Sequence, residues 1–269
     1  MLLRVKTSVI ALLLLFAVLW ASETAVFELA MAAVAAIAAF EVVRAAGLGK
    51  NRLLACAVML IAAAFAFVRL CPEGGGLFLC GLLAAVLAAF AIFMPSAVAA
   101  DRMSVVFTYT MIIAAAAASI VAIRRMEGGG YFIVLMFMIP WVSDSLAYIC
   151  GSRFGKRKLC PDISPNKTVA GFVCGMLGGA VSALIFGLIV YIGQGRFPQA
   201  TPALMLIGTV CSLLGQAGDL VFSIAKRYFG IKDYGRLFPG HGGMCDRFDS
   251  VFFVAPALFF FLWKSGITL

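Results

Sequence analysis

Between Gly218 and Asp249 the chain reads GDLVFSIAKRYFGIKDYGRLFPGHGGMCDRFD, starting inside one apolar run and ending at the mouth of the next. Of the 12 acidic residues in 269, four fall here: Asp219, Asp233, Asp246 and Asp249. Five of the 21 Lys and Arg join them, together with the single histidine, His241. Charge gathered between hydrophobic segments is costly unless it binds something charged or does chemistry. Asp219, Ser223, Lys226 and Arg227 stand at i, i+4, i+7 and i+8, one stripe of a helix. Lys232 and Asp233 follow, and the glycines around His241, with Gly242 and Gly243 after it, allow backbone N–H groups to approach a ligand closely. Asp246 and Asp249, three apart at a helix start, are expected to project to one face, with Arg247 between them. Oxygen donors without thiolates or paired histidines suit a hard cation such as Mg²⁺. Carboxylates among Lys, Arg and His at a membrane edge describe a metal–phosphate site. Transfer between two phosphorylated reactants needs neutralising cations and positioning more than covalent chemistry.

Two earlier stretches add to this set. In Trp141-Val-Ser143-Asp144 a carboxylate sits among apolar residues, with Tyr148 and Gly151 on its helical face. An ionised Asp costs roughly 2.5–3.5 kcal/mol at a transmembrane helix centre, so Asp144 marks a polar site facing the cytoplasmic end of a bundle. The loop from Gly155-Lys156-Arg157-Lys158 through Ser164-Pro165-Asn166-Lys167-Thr168 ends where a helix begins. Ser164 or Thr168 is placed to cap that helix, whose free N–H groups favour phosphate, with Lys167 beside them. Lys156 to Lys158 need no more than a positive anchor on the cytoplasmic side. Gly171, Gly175, Gly178 and Gly179 recur at helical spacing, which predicts close helix packing rather than a phosphate loop.

The elements that position these residues follow from composition. The chain is 64% hydrophobic and 12% charged, with mean hydropathy +1.09, which excludes a soluble globular domain and predicts an all-α, polytopic membrane bundle. A spanning helix needs about 20 apolar residues. Nine runs qualify, near 5–21, 24–43, 53–70, 77–94, 103–123, 131–150, 169–193, 201–225 and 249–265. The start imitates a secretory signal but is expected to be a retained first span. With a cytoplasmic N-terminus, Lys and Arg divide 16 inside to 5 outside. Loops 151–168 and 226–248 then share the cytoplasmic side, at the inner membrane of a cell. Residues 1–130 read as scaffold and 131–269 as the catalytic region. Glu28 and Glu41 interrupt the scaffold as carboxyls paired within the bundle. The net charge of +9 is dispersed, which suits anionic lipid headgroups or phosphates and not nucleic acid. Eight cysteines without a CxxC pair read as small hydrophobes.

Ser223-x-x-Lys226-Arg227-x₄-Lys232-Asp233-x-Gly235-x₃-Pro239-Gly240-His241-Gly242-Gly243-Met244-x-Asp246-Arg247-Phe248-Asp249 resembles the C-terminal signature of phosphatidate cytidylyltransferases (CDP-diacylglycerol synthases). Asp144-Ser-x-Ala-Tyr148-x-x-Gly151-x-x-Phe154-Gly155 and Ser164-Pro165-x-Lys167-Thr168 are similar to that family too. The likeness covers 141–256; before 130 it is compositional. Ala170-Gly171 stands where the family usually has a Glu-Gly pair. The resemblance implies transfer of CMP from CTP to phosphatidate with release of pyrophosphate, aided by Mg²⁺ and with a second cation left open. Asp219, Asp246 and Asp249 would be the metal-facing carboxylates, with Asp144 a weaker candidate. Lys167, Lys226, Arg227, Lys232 and Arg247 would hold phosphates, with His241 near the transferred group. A homodimer is what the family suggests. The competing expectations are an ion-coupled transporter, and a cytidylyltransferase or kinase-like enzyme acting on another lipid phosphate.

Overall fold

The computed structural model describes residues 25–70, 73–93 and 96–268. The run at 5–21, the signal-like start and Cys71 lie outside the described residues. The chain is a polytopic helical bundle. In order, its elements are α1 (Ala25–Ala45), α2 (Arg52–Ala64) with a 3₁₀ turn at Phe65–Leu70, α3 (Gly75–Ile92), α4 (Ser96–Arg124) and α5 (Gly129–Phe154). The strands β1 (Lys158–Cys160) and β2 (Ser164–Thr168) follow, then α6 (Val169–Gln194), α7 (Thr201–Tyr228), α8 (Cys245–Phe248) and α9 (Val251–Ser265). Seven helical stretches among the described residues are long and apolar enough to cross a membrane, and α9, at 15 residues, is shorter. Helices are the expected solution, because hydrocarbon supplies no partner for a backbone N–H or C=O.

Two compact units emerge from packing. The first runs to Val121 and also includes Ala225–Phe248; the second is Ala122–Ile224 with Asp249 onwards. In the first unit, α1 packs on α2 through small residues: Ala35, Ala38, Ala39, Val58 and Ala62 are fully buried. Asn51 caps α2, its side chain accepting the Leu54 N–H at 3.2 Å. The turn between them is tied to α4 by Arg102, which donates to the Ala46 carbonyl at 2.8 Å. Tyr228 at the end of α7 reaches Asp101 at 3.3 Å. The C-terminal ends of α1 and α7 and the start of α4 therefore meet at one end of this unit.

In the second unit the glycines at helical spacing do what their pattern predicts. A Cβ at Gly178 would lie 2.7 Å from Ser143 Cα, and one at Gly179 would lie 2.0 Å from the Gly208 carbonyl oxygen. These residues bring α5, α6 and α7 to backbone contact, where packing and short polar bonds hold helices together in lipid. Ser212 Oγ donates to the Gly175 carbonyl at 2.7 Å and lies 2.8 Å from Ser143 Oγ, joining the three helices. Phe132 stacks on Phe186 and Phe222 tilts against Phe252, all four fully buried or nearly so.

The fold departs from the sequence-based reading at two points. Residues 158–168 form an antiparallel ribbon with a bulge, pairing Lys158 with Thr168 and Cys160 with Ser164. Asp246 and Asp249 do not open one continuous helix. Asp246 lies in the single turn α8, the chain turns at Asp249-Ser250, and α9 begins at Val251.

Candidate functional site

The second unit assembles four of the expected residues, Asp144, Lys167, Asp219 and Ser223, from two helices and a strand. Lys167, on β2, extends to Asp219 on α7, Nζ to Oδ2, at 2.6 Å. It also approaches the Gln216 carbonyl at 3.5 Å. Ser223, one turn along, reaches Asp219 Oδ1 at 3.4 Å. Asp144 on α5 is within electrostatic reach of both Asp219 and Lys167. The ribbon delivers the lysine there, and the next residue fixes the ribbon's end. Thr168, with extended backbone (φ −121°, ψ 155°), caps α6 by accepting the Gly171 N–H at 3.1 Å. Thr168 is thus the cap, while Ser164 pairs with Cys160 in the ribbon. Gly151 and Gly155 are small because Thr168 occupies their space, within 2.9 and 2.6 Å of where a Cβ would lie. Asp249 accepts the N–H of the next residue, Ser250, at 2.7 Å, and its carbonyl packs on Gly218.

The first unit builds a second charged centre around Asp246. Lys226 pairs with Asp246 Oδ1 at 3.1 Å, both side chains well buried (13% and 4% exposed). The other oxygen, Oδ2, accepts the backbone N–H groups of Tyr234 at 2.8 Å and Gly243 at 2.9 Å. Charge-assisted bonds of this kind are strong. Lys226 also lies 5.9 Å from the Tyr234 ring centroid. Lys226 and Asp219 share α7 yet take different partners, so the stripe is not an intrahelical ion pair.

The Pro-Gly-His-Gly-Gly segment is a tight turn. Phe238 N donates to Gly242 O at 2.9 Å and His241 N to Phe238 O at 2.8 Å. Gly240 (φ 79°) and Gly242 (φ 86°) take left-handed backbone, which glycine adopts without strain. A Cβ at Gly242 would also stand 2.7 Å from Asp246 Oδ2. The freedom of these glycines serves a carboxylate of the chain itself, since the Gly243 N–H is spent on Asp246. Around the turn lies a cleft of about 540 Å³ lined by Lys232, Asp233, Arg236, His241 and Arg247, among others. A smaller one of about 370 Å³ is bounded by Lys226, Arg227 and Lys232. Walls with this excess of cations concentrate polyphosphate anions.

Residues without a role assigned from sequence enter here. Glu41, expected from sequence only as a carboxyl paired somewhere within the bundle, accepts the Met244 and Cys245 N–H groups at 3.0 and 2.9 Å. Arg44 donates to the Tyr234 carbonyl. Arg236 lines the larger cleft. No spacing signal marks these long-range partners.

Oxygen ligands dominate both centres, which fits a hard cation better than a soft one. Among the described residues, however, no three His, Cys, Asp or Glu side chains gather closely enough to share an ion. Asp219 and Asp246 instead each hold a lysine.

Comparison with known proteins gives a family and a set of relatives. A model described as the cytidylyltransferase family matches residues 2–264. A phosphatidate cytidylyltransferase of Staphylococcus saprophyticus is 49% identical over 128 residues, 48% of this chain and 47% of the relative. One from Bacillus subtilis is 48% identical over 125 residues, 46% of this chain and 45% of the relative. One from Staphylococcus aureus is 46% identical over 136 residues, half of each chain. The chain spans about half the length of the curated relatives it matches.

Proposed function

We propose that this chain, which belongs to the cytidylyltransferase family, transfers CMP from CTP to phosphatidate at the cytoplasmic face of a membrane. A phosphate oxygen of phosphatidate attacks the α-phosphorus of CTP; a new P–O bond forms, the bond to the β-phosphate oxygen breaks, and pyrophosphate leaves. A phosphate monoester has a second pKa of about 6, so the attacking oxygen is already anionic at neutral pH and no general base is needed.

The observation that carries the reading is the pairing of lysine with carboxylate at both centres, Lys167 with Asp219 and Lys226 with Asp246. Each lysine is held in place before substrate arrives and can turn from carboxylate to phosphate when it does. Arg227, Lys232 and Arg247 at the basic clefts would bind the remaining phosphate charge, with His241 at the rim near the transferred group. Mg²⁺ would neutralise phosphate charge when bound, with Asp219 and Asp249 in the second unit and Asp246 in the first as separate candidate ligands. Each of Asp219 and Asp246 would then have a second candidate partner beside its lysine, a bound cation.

The test is purified protein with radiolabelled CTP and phosphatidate, with and without Mg²⁺. Label entering the lipid fraction only with phosphatidate and Mg²⁺ together is the expected result. Label entering only with a polyprenyl phosphate would reassign the acceptor. No labelled lipid with either acceptor would overturn the reading.

A further inference from the structure

Glu41 sits in α1, in the half of the chain that composition marks as scaffold, and it is only 3% exposed. Its two carboxylate oxygens are divided between two consecutive backbone donors, Oε1 to Met244 N and Oε2 to Cys245 N. Those donors begin α8, the turn that carries Asp246. Three residues before Glu41, the Ala38 carbonyl accepts the Cys245 thiol at 3.3 Å; three residues after it, Arg44 binds the Tyr234 carbonyl. One face of α1 therefore grips residues 234–245 at both ends. Gly235 and Gly243 are glycines on this account, since a Cβ at either would lie 2.2 Å from Glu41 Oε1. Gly243 and Tyr234 are also the two backbone donors to Asp246 Oδ2.

We infer that Glu41 is a positioning residue for the active site. It fixes the loop 234–245 so that Asp246 faces Lys226, without touching substrate itself. An exposed salt bridge would be a weak reason to keep a charge inside an apolar helix. A carboxylate shared between two buried N–H groups is a strong one, because each orphaned donor carries its own desolvation cost. The inference rests on the phosphatidate cytidylyltransferase reading for its kinetic consequence but not for its structural one, and the two are separated by experiment.

Glu41→Gln keeps shape and volume while replacing one acceptor oxygen by a donor. Hydrogen exchange followed by mass spectrometry on the detergent-solubilised protein reads the structural part. Peptides covering 234–246 should exchange at least about tenfold faster, with the interiors of α5 and α6 unchanged. Gly243→Ala presses on the same carboxylate from the loop side and should give the same signature, which covers the case where Glu41→Gln folds poorly. Steady-state CMP transfer reads the functional part. The maximal rate should fall by about 10²-fold, the order expected for a displaced reacting group, with the KM for CTP changed less than about threefold. Combined with Asp246→Asn, Glu41→Gln should add little further loss, because it acts through Asp246. Unchanged exchange over 234–246 in both variants overturns the proposal, as does a double variant whose losses multiply. If wild-type protein transfers no CMP, the reaction reading fails, and the exchange result alone decides the role of Glu41.

Discussion

Lys167–Asp219 and Lys226–Asp246 look alike as contacts but differ in burial, and this sets what each is worth. The first pair is 27% and 31% exposed, and a part-exposed ion pair contributes about 0.2–1 kcal/mol, too little to explain its place by stability. Lys167→Ala should therefore leave thermal unfolding in detergent almost unchanged while raising the KM for CTP or phosphatidate. A fall in maximal rate at constant KM would instead place Lys167 on charge that develops during transfer. Asp246 is 4% exposed and accepts from Lys226, Tyr234 and Gly243. Breaking a buried pair costs about 3–5 kcal/mol. Asp246→Asn should accordingly lower the melting temperature by several degrees and slow transfer by several orders of magnitude while leaving a measurable residue, whereas Lys167→Ala should do neither; equal melting temperatures for the two variants would contradict this ranking. As individual residues, Asp144, Lys167, Asp219 and Asp246 were legible because charge in or beside apolar runs stands out. Their pairings were not. Asp219 has Lys226 one stripe away on its own helix yet binds Lys167 from a distant strand, a choice made by tertiary packing that no local period encodes. Glu41 was visible as an anomaly, and its role became readable only once Met244 and Cys245 were placed against it.

At the scale of elements, the helices were legible because composition, lipid and backbone satisfaction all demand them. So was the packing role of the glycines in α6, and it makes a contrast that can be measured. Gly179→Ala puts a Cβ against the backbone oxygen of Gly208, which cannot swing away, and should destabilise by at least about 1–3 kcal/mol. Gly81→Ala, in α3, meets nothing within 4 Å and should be neutral or stabilising by about 0.5–1 kcal/mol, the usual gain of Ala over Gly inside a helix. Thermal unfolding in one detergent compares the two. Similar melting temperatures would mean that α6 and α7 do not rely on that close approach. The ribbon at 158–168 and the break before α9 escaped the sequence reading for a common reason. Both are short, and their signals are outweighed by neighbouring patterns: the basic anchor at Lys156–Lys158 and the apolar run after Ser250. The cap at Thr168 was readable because a side-chain oxygen before a helix has a defined local partner, here the Gly171 N–H.

For the whole molecule the remaining question is which way the chain threads the membrane. The 16-to-5 division of Lys and Arg predicts that residues 44–52, 151–168 and 226–248 face the cytoplasm. Part of that grouping is independent of charge counting, because Glu41 and Arg44 near the end of α1 bind residues 234–245 directly. The last apolar helix is the stringent case. At 15 residues α9 measures about 22 Å, against about 30 Å of hydrocarbon. Spanning it requires the chain just before α9 to sit within the headgroup layer. Asp246 and Asp249 would then lie at the level of a lipid phosphate, the depth that the proposed reaction calls for. Single cysteines introduced at Arg157, Lys232 and Thr268, in a chain whose eight native cysteines are replaced, read this out with a membrane-impermeant thiol reagent on intact and on opened cells. The cysteines at positions 157 and 232 should label only after opening, and the one at 268 on intact cells. Labelling at 157 or 232 on intact cells would reject the orientation. Labelling at 268 only after opening would mean that α9 turns back without crossing, and the depth assigned to Asp246 and Asp249 would fall with it.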